Sequence, residues 1–93
     1  MNGDELTDAD REELLRLVLC EAEGKDVSEA FASYPHGAIS TFRRAAFQAG
    51  LVQAKGVGMK GDLAAFEGRP KLSDRGRKRL KELNERKGGQ TPS

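Results

Sequence analysis

Four interruptions decide what this chain can fold into. Gly24, the Tyr34-Pro35 pair, Gly50 and the glycine-rich run Gly56-Val57-Gly58-Met59-Lys60-Gly61 divide its 93 residues into short segments. Glycine suits the position just past a helix, where the backbone turns left-handed. Proline pushes the residue before it out of helical backbone. Each segment must therefore be one small element, and a single core must gather them all.

The pieces differ in periodicity. Thr7 opens a first helix, with Asp8, Asp10, Glu12 and Glu13 near the positive end of its dipole. Leu14, Leu15, Val18, Leu19 and Ala22 make its apolar stripe, and Gly24 stops it. Leu17 and Cys20 lie off that stripe, so the helix has a second apolar side. Either the C-terminal helix or a second copy of the chain can cover it. Asp26 or Ser28 caps a short second helix, through Val27, Ala30 and Phe31 to about Tyr34. After the turn His36-Gly37, a third helix spans 38–49, with Ile39, Phe42, Ala45, Ala46 and Ala49 as its apolar face. Residues 51–55 read as a short strand, 56–62 as a glycine-rich loop and 63–66 as a returning strand. Ser73 caps a last helix with a narrow seam of Leu72, Gly76, Leu80 and Leu83. Residues 1–6 and 87–93 read as disordered ends around one domain, 7–86.

The expected fold class is mainly α with a small β-hairpin, an α+β chain in the order helix, helix, helix, hairpin, helix. Two segments carry a resemblance within that order. Phe42-Arg43-Arg44-Ala45-Ala46-Phe47-Gln48-Ala49-Gly50-Leu51-Val52 looks like a recognition helix feeding a first wing strand. Leu72-Ser73-Asp74-Arg75-Gly76-Arg77-Lys78-Arg79-Leu80 looks like the L-T-x-x-G-R-x-x-L segment between a wing and the next helix. Over residues 7–86 the chain resembles the winged helix-turn-helix family, in particular its small MarR- and PadR-like regulators. The resemblance implies a double-stranded DNA-binding transcriptional regulator, with helix 38–49 in the major groove and wing 55–71 on the backbone. Short helix two, with Pro35 beside the turn, and the long stretch 56–71 depart from the family's pattern.

Charge is consistent with that expectation. Residues 1–30 hold ten acids and three bases, and residues 31–93 hold thirteen bases and five acids. Such polarity favours a basic surface meeting an anionic partner, with an acidic face turned away. The two halves can also neutralise each other inside the fold. On a helical wheel Ser40, Thr41, Arg44 and Gln48 point away from the apolar face, with Arg43 on the flank. These residue types suit base edges, since Arg pairs with guanine, Gln with adenine and Ser or Thr with either. Lys55 and Lys60 on the wing suit phosphates. An ordinary solvated face has the same composition.

Phe47 falls beside Arg44 and Ser40 on the wheel. An exposed aromatic there favours a protein partner. The competing function is thus an interaction module, an adaptor or inhibitor of nucleic-acid machinery of the kind phages also encode. It would engage its partner through Phe47 or through the acidic N-terminal half. Monomer and homodimer fit the sequence equally.

Other chemistries find little support. One cysteine, Cys20, allows no internal disulfide and no zinc spacing. It reads as a buried, reduced thiol. His36 has no companion ligand at a metal-binding spacing. The glycine run lacks the G-K-[ST] ending of a phosphate loop. No cofactor, no metal and no enzymatic activity are expected. The acidic start is unlike a signal peptide and no apolar run spans a membrane, so a cytoplasmic protein is expected.

Overall fold

The computed structural model describes residues 6–61 and 63–89. Four helices and four short strands follow one another: α1 Asp8–Ala22, α2 Ser28–Phe31, α3 His36–Gln48, β1 Val52–Gln53, β2 Gly56–Lys60, β3 Leu63–Glu67, β4 Lys71–Leu72 and α4 Asp74–Gly89. This is a small α+β fold, mainly helical with a β-hairpin, in the order expected.

Local chemistry sets the helix ends. Thr7 and Asp10 form a reciprocal capping box on α1: Asp10 N–H donates to Thr7 Oγ1 at 3.0 Å, and Thr7 N–H donates to Asp10 Oδ2 at 3.1 Å. At the other end Gly24 turns left-handed, and Lys25 N–H reaches back to the Cys20 carbonyl at 3.1 Å. Gly50 ends α3 the same way, with Leu51 N–H on the Ala46 carbonyl at 2.9 Å. Helix α3 begins at His36, two residues before the expected start, because Pro35 already supplies the extended entry. Helix α2 ends at Phe31, short of Tyr34, and the chain turns through 32–34.

Helix α1 lies at the centre. Leu14, Leu17, Val18, Leu19, Cys20 and Ala22 are all buried, against α2, α3 and α4. The second apolar side of α1 is therefore covered within the chain, where Leu80 and Leu83 of α4 join the same core. Arg86 Nη1 donates to Glu12 Oε2 across the outside of this packing at 2.6 Å. Helix α4 continues to Gly89, beyond the expected domain end at 86. The remaining expected disordered positions, 1–5 and 90–93, lie outside the described residues, while Leu6 packs on the core.

The hairpin departs most from expectation. The glycine-rich run is not a loop but strand β2, paired antiparallel with β3 from Gly56↔Glu67 to Lys60↔Leu63. Strands β1 and β4 form a separate short ladder at its base, Val52↔Leu72 and Gln53↔Lys71. Two residues join the ladders on the outgoing arm and three on the return arm. The extra residue is taken up where Gly68 adopts φ +76°. Helix α3 gives β2 and β3 a surface to lie on, which a glycine-rich pair of strands lacks alone.

Candidate nucleic-acid interface

Helix α3 is covered on two sides and open on a third. Ile39 and Ala46 are buried in the main core. The hairpin covers the adjoining side. There Ser40 Oγ accepts from Ala64 N–H at 2.9 Å, and Arg43 Nη1 donates to the Ala64 carbonyl at 2.6 Å. These bonds satisfy both backbone groups of Ala64. Arg43 also grips Glu21 of α1 with two bonds, Nε to Oε1 at 3.0 Å and Nη2 to Oε2 at 2.6 Å. Its guanidinium lies 5.2 Å from the centre of the Phe31 ring. One arginine thus ties α1, α2, α3 and the hairpin together.

Two expected DNA contacts are corrected by this geometry. Ser40 is only 8 % exposed and Arg43 only 7 %. A helical wheel places them on the polar side of α3, but the hairpin folds back onto that side. Both are buried in contacts within the fold, and neither stands on the open side of α3.

What remains open is an arc of about 100° on the α3 wheel. It holds Gly37, Thr41, Arg44, Ala45 and Gln48, all exposed. Ala45, expected in the core, belongs here, and Ala49 is exposed as well. Thr41 Oγ1 donates to the Gly37 carbonyl at 2.8 Å, so its hydroxyl is turned back onto its own helix. Arg44 Nη2 reaches the Met59 sulfur of β2 at 3.2 Å. Gln48 closes the arc one turn further on.

Exposed cations lie on the elements that follow α3. Lys55 and Lys60 stand exposed at the two ends of the outgoing hairpin arm, and Lys71 is exposed on β4. Arg75, at the start of α4, donates to the Ala49 carbonyl at 3.2 Å, beside the C-terminal end of α3. Among the described residues Arg44, Lys55, Lys60, Lys71 and Arg75 form no ion pair. By contrast Arg16, Arg77, Arg79 and Arg86 each face a carboxylate. The charge separation of the sequence therefore survives folding in part: several bases are neutralised, and a set on α3, the hairpin, β4 and α4 is left open.

Phe47 is half-buried. The exposed large hydrophobic side chain is Met59, at 55 %. Sequence reasoning misses it because residues 56–62 read as a glycine-rich loop. A strand reading, with alternate side chains on one face, would have set Met59 beside Val57 on the side toward α3.

A short staple fixes the end of α3. Ser73 Oγ donates to the Gly50 carbonyl at 2.5 Å and accepts from Gly76 N–H at 3.0 Å, while Ser73 N–H donates to the Leu51 carbonyl at 3.0 Å. A side chain at Gly76 would strike this crossing: an added Cβ would lie 2.0 Å from the Leu51 oxygen. The small residue in the Leu72–Leu80 segment thus lets α4 pass against the exit of α3. Cys20 is buried with Arg16 Nη1 3.8 Å from its sulfur, and His36 is exposed at the first turn of α3. No helix among the described residues is long and apolar enough to cross a membrane. Comparison with protein-family models, with curated proteins and with solved structures finds no match to this chain.

Proposed function

We propose that the chain binds double-stranded DNA as a winged helix, with the open arc of α3 in the major groove and the hairpin against the backbone, and that it serves as a transcriptional regulator. The observation that carries this reading is the arc itself. It is a solvent-facing strip of Thr41, Arg44, Ala45 and Gln48 on one helix, in a chain whose hairpin, β4 and α4 carry exposed cations with no carboxylate partner among the described residues. A helix of this width fits the major groove, and backbone contacts by flanking Lys and Arg fix its register. The contact set is Thr41, Arg44 and Gln48 for base edges, with Lys55, Lys60, Lys71 and Arg75 for phosphates.

Fluorescence anisotropy with a labelled random-sequence duplex tests it. About four phosphate contacts give a salt slope near −3.6, so affinity falls about a hundredfold between about 50 and 200 mM salt. Absence of binding at about 10 μM protein in the low-salt buffer overturns the proposal.

A second reading is favoured by one observation. Met59 is a large apolar side chain left in solvent at the edge of the arc, and such residues anchor protein partners. A winged-helix adaptor or inhibitor would use Met59, rather than the half-buried Phe47, as its anchor.

A further inference from the structure

Resting on the duplex-binding reading, we infer that this helix recognises a guanine and an adenine about two base-pair steps apart, read by Arg44 and Gln48. Thr41 adds contact to a thymine methyl. The argument starts from what each side chain of the arc still has to offer. Arg43 has its fork occupied by Glu21 and Ala64, and Ser40 has its hydroxyl on Ala64. Only Arg44 and Gln48 among the arc residues carry a planar group able to pair with a base through two bonds, Arg with guanine O6 and N7, Gln with adenine N6 and N7. They stand four residues apart on α3. At 1.5 Å of rise per residue that is about 6 Å, close to two base-pair steps of about 3.4 Å when the helix follows the groove.

The short residues of the arc support the same fit. Gly37 and Ala45 put no long side chain between the helix and the base edges. Thr41 has its hydroxyl engaged by the Gly37 carbonyl, so its remaining group for a base edge is its methyl. A methyl facing the groove suits the C5-methyl of thymine. The sequence element so described mixes G·C and A·T pairs within about three base pairs.

Arg44 also has a side chain to aim it. The Met59 sulfur lies 3.2 Å from Nη2, on β2, whose partner strand β3 is fixed to α3 at Ala64, directly opposite Met59. Met59 is therefore a positioning residue for Arg44. Its effect belongs at the guanine position alone and leaves the charge count of the complex unchanged.

Selection of bound duplexes from a randomised pool, followed by sequencing, tests this directly. The expected result is an enriched guanine with an adenine about two steps away. Arg44→Ala loses the guanine preference and keeps the adenine; Gln48→Ala does the reverse. Each loss of discrimination is about 5- to 150-fold. Arg44→Lys, which keeps the charge but not the fork, weakens the guanine preference with an unchanged salt slope. Met59→Ala weakens the same preference by about 3- to 10-fold and also leaves the slope unchanged, an outcome that mere loosening of the hairpin would not confine to one base. A bound pool with no preferred bases overturns the inference and leaves the duplex reading standing. So does an Arg44→Ala variant that weakens every sequence equally and loses about one unit of slope, since that marks a phosphate contact. A pool from which no duplex is retained overturns both.

Discussion

Replacing Gly76 by alanine tests the crossing between α3 and α4. In an unobstructed helix the change stabilises by about 1 kcal/mol, because alanine is the better helix former. At Gly76 the new methyl would sit 2.0 Å from the Leu51 carbonyl oxygen, 3.0 Å from its carbon and 3.1 Å from Leu72 Cδ2. The obstacle is backbone, so it cannot swing aside as a side-chain tip does. Relief requires α4 to slide away from Leu51, and the bonds from Ser73 N–H to the Leu51 carbonyl at 3.0 Å and from Ser73 Oγ to the Gly50 carbonyl at 2.5 Å break as it goes. Overpacking costs about 1–3 kcal/mol and each lost bond about 0.5–1.5 kcal/mol. Set against the helix gain, the net loss is about 1–5 kcal/mol, with about 3 kcal/mol at its centre. A chain of this size has about 5–14 kcal/mol in total. The melting temperature should therefore drop by about 15 °C, read by circular dichroism alongside urea denaturation. Gly37→Ala is the matched control, since a Cβ there meets nothing within 4 Å and the backbone is ordinary helix. It should leave stability unchanged or raise it by less than about 1 kcal/mol. If Gly76→Ala were as stable as the parent chain, the close crossing would not exist, and the staple would have to be abandoned.

Other outcomes follow from the same contacts. Arg43→Met leaves the Glu21 carboxylate and the Ala64 carbonyl without their partner and should cost about 2–4 kcal/mol in urea denaturation. Adding Glu21→Gln should recover part of that loss. Ser40→Ala strips a buried N–H of its acceptor and should cost about 1–2 kcal/mol, with duplex affinity unchanged at temperatures where the variant is folded. Lys60→Ala should reduce the salt slope of duplex binding by about one, and an unchanged slope would remove Lys60 from the interface. Asp26 accepts from both the hydroxyl and the N–H of Ser28, which together hold its carboxyl below the ordinary carboxylate value. Being depressed in the folded state, its contribution is present above the ordinary value and lost as pH falls through the folded one. An NMR titration should find the Asp26 midpoint below that of an exposed aspartate, and Ser28→Ala should return it.

The helices were legible because their signals are local. Thr7, Gly24, Gly50 and Ser73 each act on backbone groups within a few residues, and the Leu72–Leu83 seam repeats at helical spacing. The side of α3 facing the hairpin was not legible. Ser40 and Arg43 reach Ala64 over more than twenty residues of chain, and a wheel reports which side of a helix is apolar, not what later folds onto its polar side. For the same reason the run 56–60 passed for a loop: glycine disfavours strands taken alone, and only docking on α3 overrides that preference. Ala45 was misplaced because alanine is equally at home in a core and on a surface. Arg44, Thr41, Gln48, Lys55 and Lys60 were found exposed because no later segment covers them. Met59, inside the run that reads as a loop, emerged as an exposed apolar neighbour of Arg44 only from the three-dimensional arrangement.

The pairing of α1 with α4 has a consequence for how the molecule comes into being. The core residues of α1 are made first, and Leu80 and Leu83, which join the same core from α4, are made last. A nascent chain carrying α1, α2 and α3 therefore holds an unfinished core while the hairpin is still being synthesised. Long separation between partners slows closure, since the intervening chain must first be ordered. On the ribosome the first helix waits for the last, and native structure should appear only once Leu83 has cleared the exit tunnel. A stalled-chain series probed by protease would show that moment as a single late step.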